Sequence, residues 1–162
     1  MAATSSPSTD TEAELTRWTT ARTALAVSPR MAAADVVDAY VAGLPQPGRR
    51  LAHAEWGITV PADSAGGEPL DVGLRIADEM LRVMAVAVPG AGDLDPWMLM
   101  WWNRQTRLVR FGSTRGRDVW VHGDLPVAAV DERAVDRLLG LVVEGALAVR
   151  DYAARSRSLN AR

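Results

Sequence analysis

Two neighbouring stretches of the chain alternate apolar and polar residues with a period of two. Residues 51–60 place Trp56 among the apolar positions on one side, and residues 70–76 do the same with Leu74. This alternation predicts strands that are buried on one face and exposed on the other. Only residues 61–69, a loop rich in Gly and Pro, separate the two stretches. We therefore expect antiparallel neighbours rather than parallel strands joined by a helix.

Helices are predicted where a capping residue precedes apolar residues at helical spacing. Residues 77–88 fit either a helix face or a third strand. Residues 108–111 and 119–122 flank a polar segment that contains Gly116, which predicts a hairpin. The order is then helix, helix, three strands, helix, two strands, helix, an α+β fold with a five-stranded antiparallel sheet. The predicted helices begin near Thr11, Ser28, Asp95 and Asp131.

The periodicities also predict the hydrophobic core. The strands supply apolar residues with a period of two, and the last helix supplies an apolar stripe with a period of 3.6. We expect the sheet to bury Trp56, Ile58, Leu74, Ile76, Val109 or Leu108, and Val119 or Val121 against Leu138, Leu139 and Val142.

The chain of 162 residues has the length of one ordinary domain. We expect a disordered tail at 1–9, an N-terminal helix at 10–27, a single domain at 28–154 and a polar tail at 155–162. The start of the chain is polar and acidic rather than basic and apolar, and uninterrupted apolar runs do not exceed six residues. Neither a signal peptide nor a membrane span is predicted, so we expect a cytoplasmic protein.

The composition excludes several kinds of site. There is no cysteine, only two histidines, and all 18 basic residues are arginine. Thiolate chemistry, a Walker A phosphate loop and a Schiff-base lysine are therefore absent. His122 and Asp124 could supply two metal ligands, but a third ligand and its supporting shell are missing from the pattern. We therefore expect no catalytic residues, no metal and no cofactor, and we expect that the protein is not an enzyme.

One segment is strongly basic in a chain with a net charge of −2: residues 104–117 contain five arginines and no acid. Interleaved aromatic residues could make it a platform for anions or single-stranded nucleic acid. A solvated surface, or one that meets an acidic partner, fits the overall acidic charge better, and we expect no bulk nucleic-acid binding. The possible anion-binding residues are Arg104, Arg107, Arg110, Arg115 and Arg117.

The predicted middle helix is short and apolar nearly all round. Such a helix must be covered on more than one side, and a helix of about two turns is not stable alone. We therefore expect a homodimer whose two-fold axis passes near this helix. The alternative is that the N-terminal helix covers it within one chain, through Leu15, Trp18 and Leu25. The residues of the expected dimer or partner interface are Trp97, Met98, Trp101 and Trp102.

The segment Trp97–Val149 resembles actinobacterial members of the YbjN family, which are similar in fold to type III secretion chaperones. The likeness consists of an aromatic helix ending in Asn103, an arginine-rich hairpin, a GDLP turn at Gly123–Pro126 and a closing amphipathic helix. It implies an α-β-β-β-α-β-β-α domain that often forms a homodimer through its middle helix. No activity is implied. The resemblance favours a non-enzymatic module that binds another protein.

Overall fold

The computed structural model describes residues 28–90 and 94–160. The predicted tail at 1–9 and the predicted N-terminal helix at 10–27 lie outside the described residues. The described part contains three α-helices, six strands and one short 3₁₀ turn. In chain order these are α1 (Pro29–Ala42), β1 (Arg49–Ala52), β2 (Glu55–Val60), β3 (Leu70–Ala77), β4 (Met80–Val88), α2 (Pro96–Gln105), β5 (Val109–Ser113), β6 (Val119–Pro126), the 3₁₀ turn (Val127–Ala129) and α3 (Glu132–Asn160).

The six strands form one antiparallel sheet in the order β1-β2-β3-β4-β6-β5. The α+β class with an antiparallel sheet is confirmed. Along β3 and β4 buried and exposed side chains alternate, and the buried ones join the helices in one core. The helices therefore cover one face of the sheet, and the opposite face, called the open face below, carries no helix within the described residues.

The strand count is six rather than the predicted five, because residues 51–60 do not form one strand. A turn at His53-Ala54 divides them, and β1 folds back on β2 with Arg50 opposite Trp56. Ala54 adopts a φ of 56°, a left-handed conformation that residues other than Gly, Asn and Asp seldom take. Neither turn residue is a turn former, and a two-residue turn leaves the period of two intact. The alternation of apolar and polar residues therefore gave no sign of the turn.

Residues 77–88, which fitted either a helix or a strand, form β4. The reversal before it is made by Asp78 and Glu79, whose φ angles are 51° and 58°. Positive φ at both central residues is the geometry of a tight hairpin turn that matches the twist of its strands. Strand β4 then pairs with β3 on one side and β6 on the other, at the centre of the sheet.

The turn predicted at Gly123–Pro126 is wrong. Gly123–Pro126 is not a turn but the last part of β6, paired with β4 from Val83↔Gly123 to Met80↔Pro126. A proline is tolerated there because it is the last residue of the strand. A Cβ atom on Gly123 would lie 2.6 Å from a methyl group of Leu138, so this glycine serves the close approach of α3. Helix α3 extends through Asn160, so residues 155–160 of the predicted polar tail form its last turns.

The predicted core is confirmed. The side chains from β2, β3, β5 and β6 and those from α3 are all buried, and Leu139 is the most exposed of them at 9%. Of the paired alternatives, Val109 is buried and Leu108 is half-buried, while Val119 and Val121 are both buried. Matched periods of 2 and 3.6 thus identified the contact between sheet and helix correctly.

Candidate interaction surfaces

Helix α2 is positioned by its capping residues and by one buried leucine. Asp95 precedes the helix, and its Oδ1 accepts a hydrogen bond from the backbone N–H of Trp97 at 3.0 Å. Pro96 occupies the first turn, where its missing N–H costs nothing. Leu99 is 7% exposed and faces the core. The helix packs beside β5, at one edge of the sheet.

The four residues predicted at an interface divide between two sides of α2. The ring of Trp102 lies 5.3 Å from that of Phe111 and 5.6 Å from that of Tyr152, so Trp102 packs within its own chain. Met98 is half-buried. Trp97 and Trp101 are 72% and 55% exposed, and they border a shallow concavity of about 340 Å³ with Met98 and Asp95.

Met100 belongs to the same exposed surface but was not predicted. Its side chain is 57% exposed. It lies three residues after Trp97 in the helix, and residues three and four apart share a helix face. Helical spacing thus places Met100 on the same face as Trp97 and Trp101, but it does not show which face of the helix is exposed. We call Trp97, Met100 and Trp101 the α2 patch.

Asn103 joins α2 to the edge of the sheet. Its Nδ2 donates to the carbonyl oxygen of Phe111 at 2.9 Å, and its Oδ1 accepts from the N–H of Phe111 at 2.7 Å. A side-chain amide thus makes the two hydrogen bonds that another strand would make with β5. Because unpaired edge strands recruit other chains, Asn103 shields this edge of the sheet.

The five arginines proposed as an anion site do not form one patch. Arg104 lies in the last turn of α2, and Arg107 lies in the loop that follows it. Arg110 donates from Nη1 to the carbonyl oxygens of Thr106, Arg107 and Val109, so its guanidinium stabilises that loop. The remaining two arginines lie in the turn after β5. Because β5 has five residues, it separates them from the arginines before it by about 14 Å. The residues in that turn are Arg115 and Arg117.

Ion pairs cover one end of the open face. Arg75 lies 3.2 Å from Glu55, and Arg82 donates from Nε at 2.7 Å and from Nη2 at 3.1 Å to the carboxylate of Asp124. The Asp124 carboxylate raises the pKa of the Arg82 guanidinium, mainly through these hydrogen bonds. Asp124, one of the two candidate metal ligands in the sequence, is thus bound by Arg82 across the strands. Residues 28–90 and 94–160 contain no cluster of three or more potential metal ligands.

A second titratable pair lies between α1 and α3. The hydroxyl group of Tyr40 donates to Oδ1 of Asp136 at 2.8 Å. Burial, followed by the hydrogen bond to Asp136 and the negative charges of Asp136 and Glu132, raises the pKa of Tyr40. The phenol therefore stays neutral at physiological pH, and its hydrogen bond to Asp136 links α1 to α3.

Comparisons with known proteins identify the fold. Three solved structures align with most of the chain. A chain of the HopA1–SchA chaperone–effector complex aligns with a TM-score of 0.61 and 13% identity, over 78% of this chain and 99% of that one. A chain of the complex of the Yersinia pestis type III secretion chaperone SycH with a stable fragment of YscM2 aligns with a TM-score of 0.56 and 13% identity, over 72% of this chain and 98% of that one, and a chain of the ExsC–ExsE complex aligns with a TM-score of 0.55 and 17% identity, over 73% and 93%. The protein therefore has a type III secretion chaperone-like fold.

Other comparisons do not refine this result. No protein-family model matches the chain, and no curated protein matches it. The resemblance to the YbjN family and to its actinobacterial members thus stays a prediction from the sequence. Within the described residues, no helix has both the length and the apolar character needed to cross a membrane.

Proposed function

We propose that this chain is a non-enzymatic protein-binding module of the YbjN type, and that it acts as a homodimer in the cytoplasm. Two observations support the proposal: the fold, and the α2 patch, which exposes two tryptophans and a methionine side by side. The similar structures named above are complexes, in two cases of a chaperone with another protein. The α2 patch carries the proposal, because the fold alone assigns no activity.

The chemistry of the α2 patch favours a protein interface. Trp and Met are enriched at the centres of protein–protein interfaces, where they replace charged residues. The patch is continuous along one face of α2 and borders a concavity, so a symmetry-related copy can fill it. In a two-fold dimer each copy contributes the same surface, which lets a single helix provide both halves of the interface. An uncovered patch of this kind would promote aggregation.

Light scattering on the purified full-length protein tests the dimer. We expect the wild type to be dimeric at tens of micromolar and Trp101→Arg to be monomeric, since the substitution places a charge in the centre of the patch. Leu159→Arg is the matched control, because Leu159 is 74% exposed but lies near the end of α3. It should remain dimeric. A monomeric wild type, or a dimeric Trp101→Arg variant, would exclude this interface.

The partner is tested separately. Proteins captured from native cell extract are identified by mass spectrometry, and each is then purified and titrated against wild type and Trp101→Arg. Saturable binding of a purified protein with a defined stoichiometry supports the proposal. The alternative function, a regulator that binds nucleic acid or anions through residues 104–117, predicts instead salt-sensitive binding to single-stranded oligonucleotides. Such binding, lost in Arg115→Ala or Arg104→Ala, would replace the proposed function.

A further inference from the structure

The open face of the sheet contains an apolar trough that runs across the strands. Gly57 and Gly73 are paired directly on β2 and β3, and neither has a side chain to fill the trough. The side chain of Leu51 lies over Gly57, so Gly73 forms the open part of the floor. Residues of β1 form one wall, and residues of β4 and β6 form the other. The trough has a volume of about 410 Å³, within the range of 300–1,000 Å³ typical of binding sites. Its walls include Leu51, Met84, Val86 and Trp120.

Two features of the trough lack a counterpart within the described residues. Leu51 is 61% exposed. Arg49 borders the trough, and residues 28–90 and 94–160 supply no acid within ion-pair distance of it. These features indicate an occupant with an apolar side chain and a negative charge.

We propose that the occupant is the chain's own N-terminal segment, residues 10–27, bound in cis. This segment has a narrow apolar stripe, of which Leu15 and Trp18 are the nearest pair, and Glu12 and Glu14 precede them. A narrow stripe matches a narrow trough, and an indole ring has room above Gly73, where a Cβ would meet no atom closer than 3.8 Å. The carboxylates supply the charge. The acidic end of the segment then lies toward Arg49.

The position of α1 makes this binding possible within one molecule. Nη2 of Arg30 donates to the carbonyl oxygen of Ile76 at 3.3 Å, so α1 begins beside the end of β3, the strand that carries Gly73. Ten residues connect Trp18 to Ser28 and span up to about 33 Å when extended. The path along β3 and across the thickness of the sheet requires roughly 20 Å. Tethering also gives the segment an effective concentration of the order of millimolar.

Limited trypsin digestion of the full-length protein, followed by mass spectrometry, tests the proposal. Arg17 and Arg22 are cleavage sites inside the segment, and a bound segment protects them. A Cβ on Gly73 meets only ordinary contacts, the closest 3.8 Å from Met84, so Gly73→Leu fills the trough without opposing the fold. We expect Trp18→Ala and Gly73→Leu each to raise the rate of cleavage about tenfold or more, since burying one large apolar side chain contributes at least that factor.

The matched control is Gly112→Leu, which adds the same side chain to a glycine of β5 that is open to solvent and lies outside the trough. It should cleave like the wild type. Thermal melts check that all variants fold. Trp18→Ala still tests the proposal if Gly73→Leu does not fold. Unchanged cleavage in Trp18→Ala would overturn the inference. So would protection that depends on protein concentration, which indicates binding in trans, or protection lost in Trp101→Arg but kept in Gly73→Leu, which places the segment on the α2 patch.

Discussion

Arg150 is expected to be the most important polar side chain for the stability of the described domain. From α3, its Nε donates to the carbonyl oxygen of Ala87 at 2.9 Å, and its two Nη atoms donate to those of Ala65, Glu68 and Pro69 at 2.7, 2.6 and 3.0 Å. One guanidinium thus connects α3, the end of β4 and the loop between β2 and β3. That loop has few other long-range hydrogen bonds to hold it.

The magnitude follows from the burial of these bonds. Those to Ala87 and Ala65 are partly buried, whereas those to Glu68 and Pro69 are exposed. In a variant, water can replace the exposed pair at little cost. A hydrogen bond to a charged group contributes about 1.5–3 kcal/mol, and partial exposure reduces this. We therefore expect Arg150→Met, which retains the apolar stem, to lower the free energy of unfolding by about 2–4 kcal/mol, and the Tm by roughly 10 °C.

Urea unfolding, followed by tryptophan fluorescence and circular dichroism, measures this loss, and the m-value should not change. Hydrogen exchange should accelerate at the loop amides of Ala65 and Gly67, which bond to the Ala62 carbonyl oxygen. Arg155→Ala is the control on the same helix: its partner Asp151 is also exposed, so we expect a change within about 0.5 kcal/mol. If Arg150→Met had the same free energy of unfolding as the wild type, water would satisfy the four carbonyl groups as well as the guanidinium does. If Arg150→Lys matched it, the charge rather than the planar fork of donors would be responsible.

Three further predictions concern single contacts. Gly123→Ala should destabilise the fold by about 1–3 kcal/mol in urea unfolding, because its Cβ would collide with α3, whereas Gly112→Ala, in open space, should not. Asn103→Asp should lower the Tm and increase edge-mediated aggregation, seen by light scattering, because a carboxylate cannot donate to β5; an unchanged Tm would argue against this link. Tyr40→Phe should cost about 1 kcal/mol at pH 8. Its folded pKa is raised, so this contribution is complete below the unfolded pKa of about 10 and is lost as pH rises through the folded value. The difference from wild type should therefore shrink above pH 10, and a difference that grows there would contradict the assignment of the Tyr40–Asp136 bond.

Local patterns in the sequence were sufficient for most of the elements. Helix α1 begins directly after Ser28 and α2 directly after Asp95, as the capping residues predicted. The buried residues of β3 and of α3 also follow their expected periods. These features depend on residues within a few positions of one another, and capping and amphipathic burial act over that same range.

The interaction surfaces were predicted only in part. The apolar character of α2 was evident from the sequence, but the sequence did not show that Trp102 faces inward while Met100 faces outward. That division depends on Phe111 and Tyr152, which approach α2 from β5 and α3. The arginine-rich stretch is continuous in the sequence but not in the structure. Residues near one another in sequence are carried apart by a strand, and Arg110 bonds to its own loop.

The sequence by itself determined the class of fold, the core and the location of the apolar helix, because periodicity and capping are local properties of the chain. Only the tertiary structure decided the turn at Ala54, the contacts of Arg150 and the trough above Gly57 and Gly73. Each of these depends on groups that are distant in sequence. In a chain whose basic residues are all arginine, no residue type distinguishes Arg150 from the others. Its role arises because α3 passes within hydrogen-bond distance of carbonyl groups more than 60 positions earlier in the chain.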